Sequence, residues 1–413
     1  MTIEKTDKRN AGRRLWDIQC AQGTQLCIGL DLHHDHDPEA DPRDLPQLVQ
    51  LYNDYHSLAQ NLALDYGRSL AGYDMLCDGF HDVIRNHDLI WGRKPINLKR
   101  AIPFINGMIA YTKEVIYTAW GEGIRVFKIQ MSFMEALSPV GNYVLEVIVA
   151  FIQWLAARDG EECFIILDCK RGDIFSTQEA YYRPYLAALD EEIFPGVCGR
   201  YDFDMMTVNA WMGTDVLDPG LKWFKRGKGA IVVNNSSNPT GPEFQDLVAD
   251  VAMLDGELDE NVLEATRRLK RKPTVADMML FRTEAFCRRH SLNDADGFSP
   301  IFSVMGSTNK FDDTFRILRP SGTALIPGFG HQGGPFANVM PLAAKQYPRT
   351  GQIGICSSSR VHMYPWMPKY GGQGDPMKLR DELKRAIAQF KTDERAAYEA
   401  AGIVFPFLAR GNS

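Results

Sequence analysis

Eight short apolar runs, each ending in a polar or glycine-rich step, constrain what this chain can fold into. They are QLCIGLD ending at Asp31, RVFKIQM starting at Arg125, CFIILDCK over 163–170 and DMMTVNA ending near Asn209. GAIVVNNSS then ends near Ser237, IFSVMGST ends near Thr308, TALIPGFG starts at Thr323 and IGICSSSR ends at Arg360. Runs of this length, rich in Val and Ile, read as buried strands. Helical patterns lie between most of them: VLEVIVAFIQWLAARDG after Met131, QEAYYRPYLAALDEE after Thr177, and a long amphipathic stretch near the C-terminus, about 376–401. Alternating strands and helices imply a parallel sheet. Eight repeats point to a closed (β/α)8 TIM barrel, although an open doubly wound sheet fits the alternation too. The run ends favour the barrel. Asp31, Asp168, Lys170, Asn209, Ser237, Thr308 and Arg360 all sit at C-terminal strand ends, the face on which barrel enzymes build their sites.

The domain reading follows from the strand count. One domain occupies 1–413, with a barrel core over about 21–363. Two connections are unusually long, from Leu32 to Gly123 and from Asn238 to Pro300. Neither has strand runs of its own, so both read as helical insertions decorating the barrel, at about 60–115 and 250–295.

Charge and cysteine usage exclude several function classes. Lys plus Arg is 46 and Asp plus Glu is 52, a net charge of -6, without the basic footprint of a nucleic-acid binder. Small anionic ligands fit, because a pocket can be locally positive on an acidic body. The eight cysteines form no CxxC pair and follow no regular spacing, as expected of thiols in a reducing compartment. The N-terminal MTIEKTDKRNAGRRLW has no apolar core of a secretory signal. The most apolar stretch, YVLEVIVAFIQWLAA from Tyr143, is broken by Glu146 and Gln153; it reads as too short and too polar for a bilayer and as a helix with a buried face. A cytoplasmic protein without membrane or nucleic-acid partners is expected.

The densest chemistry is Asp168-Cys-Lys170-Arg-Gly-Asp173-Ile-Phe-Ser-Thr177. On a strand, residues two apart share a face, so Asp168 and Lys170 project together and Cys169 points away into packing. Asp173 falls in the turn beyond. Two carboxylates would hold Lys170 in the charged form that can donate a proton, and Lys128 at the end of the second run offers another cation. A salt-bridge ladder that pins barrel strands would use the same residues. The last two runs end in PGFGHQGG and SSSR, a Gly-rich turn and an Arg suited to an anion. HHDHD at residues 33–37 looks like a metal cluster, but neighbours in a loop rarely converge on one ion, so a solvated loop is expected there.

DCKRGDIFST resembles the DxKxxDI signature of orotidine 5'-phosphate decarboxylases, and the likeness extends along the barrel. GLD at 29–31, FKIQMSFME from Phe127, TVNAWMGTD from Thr207, NSSNPTG from Asn235, VMGST, LIPGFGHQGG and SSSR are similar to that family's motifs, in family order, and closest to its longer branch. Trp211 and Met212 stand where the family has Tyr-Leu, and His331 occupies a usually small position of the phosphate loop. The resemblance implies a cofactor-free, metal-free decarboxylation of orotidine 5'-phosphate to uridine 5'-phosphate in pyrimidine synthesis. It implies a charged network of Lys128, Asp168, Lys170 and Asp173, with Lys170 giving the proton to C6 and Asp168 facing the departing carboxylate. Asp31 and Lys128 would contact the ribose, Ser237 the pyrimidine edge, and Gln332 and Arg360 the phosphate, with Pro327 lining the loop. Asp173 and Thr177 would come from a neighbouring subunit, so a homodimer with shared sites is implied. Sugar-phosphate members of the superfamily also carry DxKxxD and use magnesium; the Lys128 strand, the Ser237 loop and QGG speak against them. A catalytically silent nucleotide-binding protein is the other alternative, and the intact charged residues speak against it.

Overall fold

A computed structural model of the chain describes residues 9–32, 50–52, 54, 98–137, 139–186, 201–250, 264, 267–269, 271–307, 310–329, 334–345 and 347–407. Eight parallel strands close into a barrel in chain order. They are β1 (Leu26–Leu30), β2 (Val126–Gln130), β3 (Phe164–Arg171), β4 (Met205–Val208), β5 (Gly229–Asn235), β6 (Ile301–Met305), β7 (Ala324–Pro327) and β8 (Gly354–Ser358). Each falls within a few residues of one of the eight apolar runs. Pairing of Leu26 with Cys356 and Ile28 with Ser358 joins the last strand to the first and rules out the open sheet.

The barrel interior has two zones. Cys27, Val126, Phe164, Ile166, Met205, Ile231, Phe302, Leu325 and Ile355 fill its lower part. Helix α1 (Ala11–Gln22) plugs that end with Ala11, Leu15 and Ile18. Asn10 caps α1 by accepting the Arg13 N–H, and Gly23 stops it in a left-handed conformation. Arg14 on α1 pairs at 2.5 Å with buried Asp204, which also accepts the Ile165 N–H at 2.7 Å, so the plug is fastened to the strands. Two residues further along a strand the same face is kept, but its chemistry changes. Val126 gives way to Lys128, Ile166 to Asp168 and Ile355 to Ser357.

Among the described residues, five further long helices lie outside the strands: α2 (Leu98–Gly121), α3 (Pro139–Asp159), α4 (Phe175–Leu186), α5 (Val275–Arg289) and α6 (Leu379–Ala400). Helix α2 packs between α3 and α6, and α5 packs on β5 and β6. Helices α2 to α5 are crossing helices of the kind that parallel neighbours require, whereas α6 follows β8. Residues 98–115 and 275–289, read from sequence as parts of insertions, are therefore barrel wall; residues 60–97 and most of 251–270 lie outside the described residues. Thr274 and Asp277 start α5 with a reciprocal capping box, a local signal that marks it as a helix in its own right. Helix α3 is 21 residues, longer than the apolar run that flagged it, and its length and mean hydropathy of 1.6 would suffice to cross a membrane. Here that apolarity is spent on packing: Val144, Leu145, Ile148, Val149, Ile152 and Leu155 are buried in the main core.

Helix α6 follows its amphipathic pattern, burying Leu379, Leu383, Ile387, Phe390 and Tyr398. Glu394 lies on the same buried stripe. Its carboxyl accepts Thr24 Oγ1 at 2.5 Å, Gln25 N at 3.0 Å and Gln25 Nε2 at 3.2 Å, while Gln25 Oε1 accepts the N–H groups of Ile353 and Gly354. One carboxyl thus ties the C-terminal helix to the segments entering β1 and β8. Burial pushes the Glu394 carboxyl above its ordinary range despite those hydrogen bonds. Glu394→Ala should cost about 1–3 kcal/mol in urea unfolding, because it strands buried donors. A raised native pKa favours the protonated form, so this group's contribution is full below about pH 4.3 and lost as pH rises through the native value. Glu394→Gln should therefore gain in melting temperature relative to wild type as pH is raised from 4 to 8.

Candidate active site

The polar zone opens as a cavity of about 630 Å³ at the C-terminal ends of the strands. Asp31, Lys128, Gln130, Asp168 and Lys170 line one side; Ser236, Ser237, Pro327, Ser357, Ser359 and Arg360 line the rest. Asp168 is central. Its Oδ2 receives Lys128 Nζ at 3.2 Å, and its Oδ1 receives Lys170 Nζ at 2.6 Å and Thr207 Oγ1 at 2.9 Å. Gln130 Nε2 stands 3.4 Å from Oδ2. Asp31 lies on the far side of Lys128, its Oδ1 3.8 Å from Nζ and without a hydrogen bond. The order Asp31, Lys128, Asp168, Lys170 alternates in sign across β1, β2 and β3.

Burial and charge oppose one another here, and charge prevails. Desolvation alone would raise the Asp168 pKa, but the Lys128 and Lys170 ammoniums and the Thr207 hydroxyl hold it well below the carboxylate range. Desolvation would lower Lys128, but Asp31 and Asp168 hold it above the ammonium range. The two lysines differ in freedom. Lys128 is 4% exposed, clamped between carboxylates. The Lys170 side chain is 51% exposed and reaches into the cavity.

Asp168 and Lys170 do meet, but not across a regular strand. The β3–β4 register slips between Leu167 and Arg171, and Lys170 sits at φ 47, in the left-handed region. Cys169 is buried as expected, and burial pushes its thiol up to about 12, which makes it a packing residue rather than a nucleophile. Ser237 is held by a close approach of chains: a Cβ on Gly306 would come within 2.9 Å of Ser237 N, so the glycine of VMGST is what lets the β5 loop lean on β6. Gly328, at φ 107, turns the chain out of β7 after Pro327. Trp211 anchors the loop after β4 by donating its indole N–H to Val233 O at 3.0 Å.

Seven of the ten residues singled out from sequence converge: Asp31, Lys128, Asp168, Lys170, Ser237, Pro327 and Arg360 line one cavity. Asp173 and Thr177 do not line it. Asp173 Oδ1 accepts the Ile174 N–H at 2.7 Å, and Thr177 is exposed in the first turn of α4. Gln332, His331, Thr308 and residues 33–37 lie outside the described residues. Among the described residues no three His, Cys, Asp or Glu side chains are grouped to hold a metal ion. Gln130 and Thr207 were missed. Gln130 could have been found by extending the two-residue period from Lys128; Thr207 carried no charge to draw attention.

A closed parallel barrel with an alternating acid–ammonium array at its C-terminal mouth defines the class: a barrel protein with its charged groups gathered where barrel enzymes build their sites. The comparisons narrow this class. Residues 112–310 match the model of the Orotidine 5'-phosphate decarboxylase / HUMPS family. An orotidine 5'-phosphate decarboxylase of Rhodopirellula baltica is 29% identical over 266 residues, 63% of this chain and 75% of that protein. The crystal structure of the Plasmodium berghei orotidine 5'-monophosphate decarboxylase superposes with a TM-score of 0.56 at 17% identity, covering 93% of this chain and 99% of that one. A Streptomyces avermitilis structure provisionally given the same activity scores 0.58 at 21% identity, covering 97% and 99%. Both structures show the shared fold.

Removing the Asp168 carboxylate leaves Lys128 buried with one distant partner. Asp168→Ala should cost about 3–5 kcal/mol in urea unfolding at pH 7. Because the native Asp168 pKa is depressed, its contribution is present above about pH 3.9 and lost as pH falls further. The wild-type advantage over Asp168→Asn should therefore shrink on acidification below that value.

Proposed function

We propose that the protein decarboxylates orotidine 5'-phosphate to uridine 5'-phosphate, as a step of pyrimidine nucleotide synthesis, with no cofactor. The observation that carries this reading is the Lys128–Asp168–Lys170 array in a cavity whose opposite side offers Ser237, Pro327 and Arg360. Breaking the bond between C6 and the carboxylate leaves an electron pair on C6 with little resonance help. The barrier reduction demanded of such enzymes is ~8–23 kcal/mol, more than one acid supplies. A fixed array of charges near C6 can supply the remainder by stabilising the developing carbanion.

In this reading Lys170 delivers its proton to C6 as carbon dioxide leaves, and water then restores the proton to the amine. Its half-exposed ammonium is the mobile cation of the array, whereas Lys128 is locked between carboxylates. Asp168 stays ionised beside the departing carboxylate and orients Lys170. Asp31 and Lys128 take the ribose hydroxyls, Ser237 the pyrimidine edge, and Arg360 with Gln332 the phosphate. Binding the remote phosphate contributes to the rate by holding the reacting carbon against the array. The acidic composition and unpaired cysteine pattern support a cytoplasmic setting.

The reading includes a homodimer in which Asp173 and Thr177 complete the partner's site. Ile174 and Phe175, beside Asp173, are 68% and 59% exposed, the kind of apolar surface an interface would cover.

An ultraviolet assay with orotidine 5'-phosphate tests the reaction. Wild type should turn over with and without EDTA, and Lys170→Ala should lose at least 10²–10⁴-fold in kcat, the range of a lost general acid. No turnover by folded wild type would sink the assignment. Activity abolished by EDTA and restored by magnesium would favour the sugar-phosphate chemistry instead. For the dimer, mixing inactive Lys170→Ala with inactive Asp173→Ala should restore part of the activity, since a mixed pair holds one site with both residues intact. No recovery on mixing would refute shared sites.

A further inference from the structure

The slip between β3 and β4 falls on the charged segment. Leu167 pairs with Met206 and Arg171 with Val208, so Asp168, Cys169 and Lys170 together face one residue of β4, Thr207. A bulge of this kind interrupts the ladder and leaves backbone N–H groups to be satisfied by other means. Thr207 is fully buried and satisfies two of them. Its Oγ1 accepts the Cys169 N–H at 2.9 Å and the Lys170 N–H at 2.8 Å. A hydroxyl has two lone pairs and one proton. With both lone pairs taken, the proton goes to Asp168 Oδ1 at 2.9 Å, the same oxygen that receives Lys170 Nζ at 2.6 Å.

We propose that Thr207 is a positioning residue: its hydroxyl clamps the slipped backbone of β3 and aims the Asp168 carboxylate at the Lys170 amine. The clamp accounts for two otherwise separate facts. It holds Lys170 at φ 47, which a long side chain rarely adopts. It also fixes which carboxylate oxygen faces Lys170, because Oδ1 is held by Thr207 and Oδ2 by Lys128. A simple space-filling role would need the Thr207 shape but not its hydroxyl. The kinetic consequences rest on the decarboxylase reading; the geometry does not.

Thr207→Val keeps the shape and removes the hydroxyl, while Thr207→Ser keeps the hydroxyl. With orotidine 5'-phosphate, Thr207→Val should lose on the order of 10²-fold in kcat, the cost of misplacing a reacting group by about 1 Å, with KM changed less than about threefold. Its kcat should also fall at a higher pH on the acid side, because Asp168 has lost a donor that favours its ionised form. Thr207→Ser should stay near wild type in all three. Should Thr207→Val not fold, Thr207→Cys, a similar size with a weak hydrogen-bonding group, should show a smaller loss of kcat at unchanged KM. Competitive acetylation of Lys170, read by mass spectrometry, needs no turnover. It should run several-fold faster in Thr207→Val than in wild type or Thr207→Ser. If wild type is inactive, the reaction assignment fails and the acetylation rates alone decide the clamp. Equal Lys170 reactivity in all variants, or Thr207→Ser falling as far as Thr207→Val, would overturn the proposal.

Discussion

The buried carboxylate of Asp168 holds two ammoniums at once, one from the neighbouring strand and one from two residues along its own. An isolated charge at that depth would be intolerable, and either lysine alone would leave an oxygen poorly matched. Four groups share its two oxygens instead: Lys128 and Gln130 at Oδ2, Lys170 and Thr207 at Oδ1. The arrangement requires β2, β3 and β4 to sit in one register, with a slip at the end of β3. The barrel therefore serves the site by being stiff at that point, and the site in turn places a demand on the barrel.

Stability and chemistry are separated along the barrel axis. The lower end is plugged by α1 and tied by polar pairs: Arg14 to Asp204, Glu394 to Thr24 and Gln25, Arg319 to Glu284 at 3.1 Å. These contacts join buried groups of the chain to one another. At the upper end the balance is reversed. Asp31 keeps a buried oxygen without a hydrogen bond, Lys170 is half open, and Lys170 carries backbone strain. Unsatisfied or strained groups are tolerated where a ligand can use them.

Much of this was legible in the sequence, and the exceptions share a cause. The strand bodies were visible because apolar β-branched runs are a local signal. Helix α6 was visible because its stripe repeats every three to four residues, whereas the tie made by Glu394 on that stripe depends on Thr24 and Gln25, far away in the chain. Residues 98–115 and 275–289 read as insertions because long connections obscure where the crossing helix begins. The pairing of Asp168 with Lys170 was expected from a two-residue period, and it occurs, but through a bulge that the period does not contain. Thr207 and Gln130 were passed over because uncharged residues acquire meaning only from what they face.

The sequence by itself determined the eight strands, the change from apolar to charged at their ends, and the family whose motifs those residues resemble. Both kinds of signal are carried by residues close together in the chain. Tertiary structure decided closure and convergence. Lys128 meets Asp168 across 40 residues, Thr207 meets it across 39, and Leu26 pairs with Cys356 at the far end of the chain. Such contacts depend on loop closure and on the register of neighbouring strands, which no local pattern specifies. The tertiary structure also chose which polar groups would be satisfied within the chain and which would be left facing the cavity.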